Sequence, residues 1–218
     1  MKSSTSTRRG YSSERRARTA EETRARILDA GHALFGRDGI DRTTIVDIAR
    51  EAGVGASTVY ATLGSKEGIL RGLMERALFG IGFQSAQAVL AGVSDPVQLI
   101  ALTSHIARAV YEGESGDLGL LRTSSGFSPA LRKMEQEFET LRFTMQEPRL
   151  RALFDAGLNR KDLSFEEARS ILWMYTSRDI YRMLVEVGGW TPDRYQTWLS
   201  QTLLDALVET GAVASTVP

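Results

Sequence analysis

The chain has no cysteine, which excludes disulfides, thiolate nucleophiles and cysteine-ligated metals and fits a reducing, cytoplasmic compartment by default. Histidine is nearly absent too. His32 and His105 stand without carboxylates at ligand spacing, so neither a metal site nor a cofactor is expected. Net charge is zero, with 27 basic and 27 acidic residues, so total charge points to no polyanionic partner. Long hydrophobic runs are scarce. The longest uncharged stretch, residues 77–94, contains Gln84, Ser85, Gln87 and several glycines and is expected to be a core-facing helix and turn, with no membrane partner. The basic N-terminus has no apolar segment behind it, which argues against a secretory signal.

What remains is 218 residues, 42% of them hydrophobic, enough to bury a core in one small module attached to a larger body. The charge is unevenly spread. Through Arg76 there are 14 Lys and Arg against 10 Asp and Glu, leaving 13 against 17 behind, a polarity suited to presenting one end to phosphate. Residues 1–18 hold six basic residues and one acid with almost nothing apolar, so disorder is expected there. Two readings of this tail stand side by side: a passive solvated terminus, or an arm laying Lys2, Arg8, Arg9, Arg15, Arg16 and Arg18 along DNA.

From Thr19 onward the apolar spacing is helical and no segment alternates with period two, so the fold class is all-α. Capping boxes are expected at Thr19 with Glu22, Thr44 with Asp47 and Ser164 with Glu167. Ser65 offers a further start, and Asp95, Ser128 and Thr191 each precede a proline suited to a first helical position. Helices follow at about 20–38, 45–52, 56–62, 66–91, 96–111, 118–124, 129–156, 165–187 and 192–209. Gly39 ends the first, residues 112–119 form a loop, and Pro148 should kink or divide the helix that contains it.

The informative stretch ends at Lys66. A short helix carrying Ile45, Ile48 and Ala49 on one face is followed by Gly53 and Val54 and then a second short helix carrying Val59. Ala49 allows close approach, Gly53 the tight turn, and Val54 and Val59 close a small core, the steric pattern of a helix-turn-helix. Ala56, Ser57, Thr58, Ala61 and Thr62 are left outward.

GVGASTVYATLGSKEGIL, from Gly53, resembles the TetR family signature that spans the recognition helix and the start of the next. ETRARILDAGHALFGRDGIDRTTIVDIAREAG resembles the same family's opening, and SRDIYRMLVEVGGWTPDRYQTWL its paired C-terminal helices. The resemblance departs at Gly55, Thr62 and Leu63, where the family often has Ser, His or Tyr, and Phe. It implies a three-helix DNA-binding domain over 19–66 behind the 1–18 tail, a helical ligand-binding and dimerisation bundle over 67–210, and a flexible end at 211–218. It also implies a repressor that leaves a palindromic, double-stranded operator when a small apolar effector binds, homodimeric through the last two helices.

By the same resemblance Thr44, Tyr60, Thr62 and Lys66 hold phosphates, Ala56, Ser57 and Thr58 face the bases, and Gly55 is counted among the DNA-binding residues. Physics supports Lys66, at a helix N-terminus that already favours an anion, and Ala, Ser and Thr suit thymine methyls and mixed hydrogen bonding. Tyr60 has an alternative as a core ring with its hydroxyl at the surface. No Arg, Asn or Gln lies on this helix, so specificity should lean partly on DNA shape.

In the body, Phe79, Phe83, His105, Ile106, Leu121, Phe138, Leu141, Met145 and Trp173 are candidates to line a cavity, each with ordinary core packing as the alternative. His105 is the candidate polar anchor, or else a hydrogen-bonded structural histidine. The last two helices carry apolar residues on more than one face, which calls for a second packing surface. An enzyme is the first rival function. No catalytic residues are expected, because GIGFQS at Gly80 lacks the third glycine and the preceding strand of a dinucleotide site. A DNA-architectural or interaction protein is the second, and would need a longer basic surface or an apolar wedge.

Overall fold

Residues 14–26 are dominated by Arg, Glu and Ala without a proline, a run of strong helix formers. In the computed structural model, which describes residues 6–113 and 129–213, helix α1 accordingly spans Ser6–Asp38. The expectation of disorder is corrected for residues 6–18. Thr19 is no N-cap either: its hydroxyl donates to the Arg15 carbonyl inside the helix at 3.0 Å. Arg18 pairs with Glu22 one turn on, at 3.8 Å.

The chain divides into two units. The first combines α1 with α2 (Ile45–Glu51), α3 (Ala56–Leu63) and the opening turns of α4 (Lys66–Phe79). Its core is Ile27, Leu28, Leu34, Phe35, Ile48, Val59, Ile69, Leu70 and Leu73, all at most 3% exposed. Helices α1 and α4 meet at Gly31, where an added Cβ would fall 2.6 Å from Ile69 Cγ2. Helix α4 buries Ile69, Leu70, Leu73 and Met74, and this unit includes residues through Glu75.

The second unit takes the end of α4, then α5 (Ile81–Val89), α6 (Pro96–Gly113) and, from Arg132 on, α7 (Pro129–Asp155). It continues with α8 (Phe165–Tyr175), α9 (Arg178–Tyr181) running into a π-helical turn (Arg182–Val187), α10 (Pro192–Leu207) and α11 (Thr210–Val213). Packing of α6 against α10 dominates, with Ile100, Val110, Tyr195, Leu199 and Leu203 in the core.

The expected caps are present at Thr44, Ser164 and Thr191. Asp95 receives the Val97 N–H and Ser65 the Gly68 N–H. Two long helices break where single ones were expected. Residues 66–91 divide at Gly80, which is extended and would place a Cβ 2.2 Å from the Arg76 carbonyl oxygen. Residues 165–187 divide at Ser177, whose side chain caps α9. Pro148 lies inside an undivided α7. The helix expected over 118–124 lies outside the described residues, as does most of the terminal segment 211–218. Among the described residues no helix is long and apolar enough to cross a membrane.

Candidate functional sites

The turn of the first unit is built as its sequence requires. Gly53 adopts φ +64°, a region costly for any residue with a side chain, and the Val54 N–H returns to the Ala49 carbonyl at 2.9 Å. Gly55 then begins α3 in an extended conformation with no side-chain cap. Val59 is the buried residue of α3, while Gly55, Ser57, Tyr60 and Ala61 are exposed and Ala56, Thr58 and Thr62 half-buried. Tyr60 is 57% exposed, which rules out its reading as a core ring.

Three of the four residues assigned to phosphates have commitments within the chain. The Thr44 hydroxyl accepts the Asp47 N–H at 3.1 Å and donates to Asp47 Oδ2 at 2.6 Å. That bond leads the causes holding the Asp47 carboxyl below its usual range. Thr62 donates to the Thr58 carbonyl at 2.7 Å. Lys66 Nζ donates to the carbonyls of Ile40 and Asp41 at 2.7 and 3.4 Å, clamping the loop between α1 and α2. Tyr60 alone among them presents a polar group with no hydrogen bond in the described structure.

Sequence reasoning misses one feature of this face. Arg15, Arg16, Thr19, Ala20 and Thr23 of α1 line an open groove together with Thr58, Ala61 and Thr62 of α3. Three-to-four spacing of these α1 residues puts them on one helix face, a signal that the low hydrophobicity of the segment obscures. Arg15 and Arg16, expected on a disordered tail, thereby lie beside the outward face of α3.

The second unit holds a partly open cavity of about 70 Å³. Five of the residues expected to line it do so: Phe79, Phe83, Ile106, Phe138 and Met145. Phe79 and Phe83 meet edge to face at 5.5 Å. Three others are corrected. His105 falls off the lining face of α6, which is formed by Thr103, Ile106, Ala107, Val110 and Tyr111. Leu141 and Trp173 lie outward at 41% and 37% exposure, and Trp173 Nε1 donates to Glu139 at 2.9 Å. Leu121 lies outside the described residues.

The polar part of the lining is not announced by the sequence. Arg142, Gln146 and Arg149 follow one another at helical spacing on α7, a pattern visible only once the apolar face of that helix is known. Arg142 is tied to Glu139 at 2.6 Å, to the Thr176 hydroxyl at 3.0 Å and to the Trp173 carbonyl at 2.8 Å. Gln146 Nε2 donates to the same hydroxyl at 2.7 Å, and the Tyr111 hydroxyl donates to the Thr176 carbonyl at 2.8 Å. Gln146 Oε1 is buried with no donor. Arg149 has neither a hydrogen bond nor an ion pair among the described residues.

The first unit is thus a helix-turn-helix, and the second an all-helical body with a partly open cavity. Residues 27–73 match the family model of "Bacterial regulatory proteins, tetR family". The chain is 38% identical over 56 residues to the HTH-type transcriptional regulator TtgR of Pseudomonas putida, covering 26% of this chain and 27% of that one. It is 33% identical over 101 residues to the HTH-type transcriptional repressor KstR2 of Rhodococcus jostii, covering 42% and 49%. These matches therefore span between about a quarter and half of the relatives' length. The crystal structure of NalD, the secondary repressor of the MexAB-OprM multidrug efflux pump in Pseudomonas aeruginosa, superposes with TM-score 0.69 over 88% of this chain and 99% of that one. At 20% identity that likeness establishes the shared fold.

Proposed function

We propose that the chain is a sequence-specific DNA-binding transcriptional regulator, a repressor that leaves a palindromic operator when a small molecule occupies the cavity of its second unit. The observation that carries this reading is α3: Val59 holds it to the core while Ser57, Tyr60 and Ala61 stand outward. A helix presented in this way fits the major groove. The α1 arginines beside it supply phosphate attraction independent of sequence. Base reading falls to Ala56, Ser57 and Thr58.

A homodimer is part of the proposal. Ile171, Tyr175, Ile180, Leu184, Trp198 and Leu204 remain only partly buried around the core of the second unit, and Met174 beside them is 46% exposed. A twofold pairing of these helices would cover them. Control rests on α4, which begins at Lys66 in the helix-turn-helix unit and ends at Phe79 in the cavity wall. Selection of bound DNA from a random pool tests the whole reading. A palindrome with half-sites about one helical turn apart is the expected product; recovery of single half-sites by a monomer, or no enrichment at all, refutes it.

A further inference from the structure

An arginine lining a cavity needs a reason to be there. Burying a cation without a partner is costly, and other partly buried arginines in the second unit have carboxylates: Arg108 has Glu112 and Asp193, Arg169 has Glu147 and Glu166, and Arg178 has Glu186. Arg149 has none. The cavity wall also contains Arg142 and, among the described residues, no aspartate or glutamate. Arg142 already spends its charge on Glu139.

Electrostatics agrees with this geometry. Burial pushes the Arg149 guanidinium below its ordinary value with nothing opposing it, whereas Glu112 and Glu147 raise Arg108 and Arg151 above theirs. Guanidinium does not lose its proton in proteins, so the shift records a half-buried cation that has lost part of its water and is given no counter-charge. One turn before it, Gln146 presents a buried carbonyl oxygen without a donor. The same lining includes the apolar side chains of Phe79, Phe83, Ile106 and Val110.

We infer that the cavity takes a small organic anion, a narrow apolar body ending in a carboxylate or equivalent group that pairs with the fork of Arg149. This rests on reading the cavity as the effector site and adds a charged end to the mostly apolar effector expected from sequence. The guanidinium fork matches a carboxylate with two parallel hydrogen bonds. At about 70 Å³ the space is less than the roughly 150 Å³ of a cavity that accepts benzene. A chain or a ring therefore enters fully only where Phe79 and Phe83 turn aside. A hydroxyl near the anionic group would satisfy Gln146 Oε1, so a 3-hydroxy acid should bind more tightly than the plain acid.

Calorimetric titration of the full chain with octanoate, octan-1-ol, octylammonium and 3-hydroxyoctanoate tests this. Octanoate should bind at least tenfold more tightly than the alcohol, octylammonium should not bind, and the hydroxy acid should gain a further several-fold. Arg149→Gln should reduce octanoate to the level of the alcohol without lowering the melting temperature of the ligand-free protein, and Arg149→Lys should retain part of the difference. Equal affinity for acid and alcohol in the unaltered chain, no binding of either acid, or full octanoate affinity in Arg149→Gln overturns the inference. A gel shift on the selected DNA site separates the two proposals. Octanoate bound through Arg149 with no loss of DNA leaves the ligand chemistry standing and removes effector control; palindrome binding with no acid bound does the reverse.

Discussion

Replacing Lys66 by alanine distinguishes a structural lysine from a DNA-contacting one. In the folded chain Nζ lies 2.7 Å from the Ile40 carbonyl and 3.4 Å from that of Asp41, so the side chain holds the loop that sets α2 against α1. A hydrogen bond from a charged donor contributes about 1.5–3 kcal/mol when its partner would otherwise go unmet. Asp41 is exposed and Ile40 and Lys66 half-buried, so water replaces part of the loss and about 1–2 kcal/mol remains. For a chain of this size that lowers the melting temperature by roughly 2–4 °C per kcal/mol. Thermal denaturation followed by circular dichroism reads the first quantity, and operator binding between low and moderate salt reads the second. A phosphate contact would instead leave the melting temperature in place and flatten the salt dependence by about one charge. That combination in Lys66→Ala would refute the structural role and restore the assignment implied by family resemblance.

Two glycines of α1 should respond in opposite directions. Gly36→Ala meets nothing within 4 Å and should stabilise by up to about 0.5–1 kcal/mol through helix propensity. Gly31→Ala drives a Cβ to 2.6 Å from the branched methyl of fully buried Ile69, costing about 1–3 kcal/mol of overpacking, so the first unit should melt earlier by chemical denaturation. On the proposed DNA face, Ser57→Ala should change preference at individual bases, whereas Tyr60→Phe should weaken all sequences alike, as parallel binding to a site library would show. Acid stability follows from the two capping boxes, where the hydroxyls of Thr44 and Ser164 lead in holding Asp47 and Glu167 below their ordinary values of 3.8 and 4.5. Their contribution is complete above those values and is lost as pH falls through the lowered ones. Asp47→Asn and Glu167→Gln should therefore flatten the acid limb below about pH 4.5 in a pH-dependent melting series.

Local chemistry explains which parts of this architecture can be read from sequence. The caps at Thr44, Ser164 and Thr191 and the turn at Gly53 depend on residues three or four apart, so their types and spacing announce them. The early start of α1 is hidden because low hydrophobicity suggests disorder, whereas Arg, Glu and Ala also favour a helix. Breaks at Gly80 and Ser177 go unread for a related reason: apolar periodicity continues across them while the backbone does not. Apolar cavity residues are legible as stripes, but Leu141 and Trp173 show that a stripe does not say which of its members face inward. The roles of Lys66, Arg149 and Gln146 depend on partners gained or missing in three dimensions, and no spacing rule encodes an absent counter-charge.

That absence bears on how control could be exerted. In the proposed regulator a ligand releases DNA only by as much as it prefers the conformation that binds DNA poorly, typically about 1–3 kcal/mol. An apolar molecule filling a cavity gains most of its free energy from area removed from water, which alternative packings of the same wall can supply almost equally. An anion meeting Arg149 gains from one guanidinium in one orientation, and a shift of α7 by a fraction of a hydrogen-bond length weakens that gain steeply. The charged contact therefore discriminates between conformations more sharply than the apolar wall does. Phe79 lines the same cavity at the end of α4, so a ligand seated by Arg149 would bring its body against the helix that starts at Lys66. Selectivity for the ligand and leverage over the DNA-reading unit would then come from opposite ends of one small molecule.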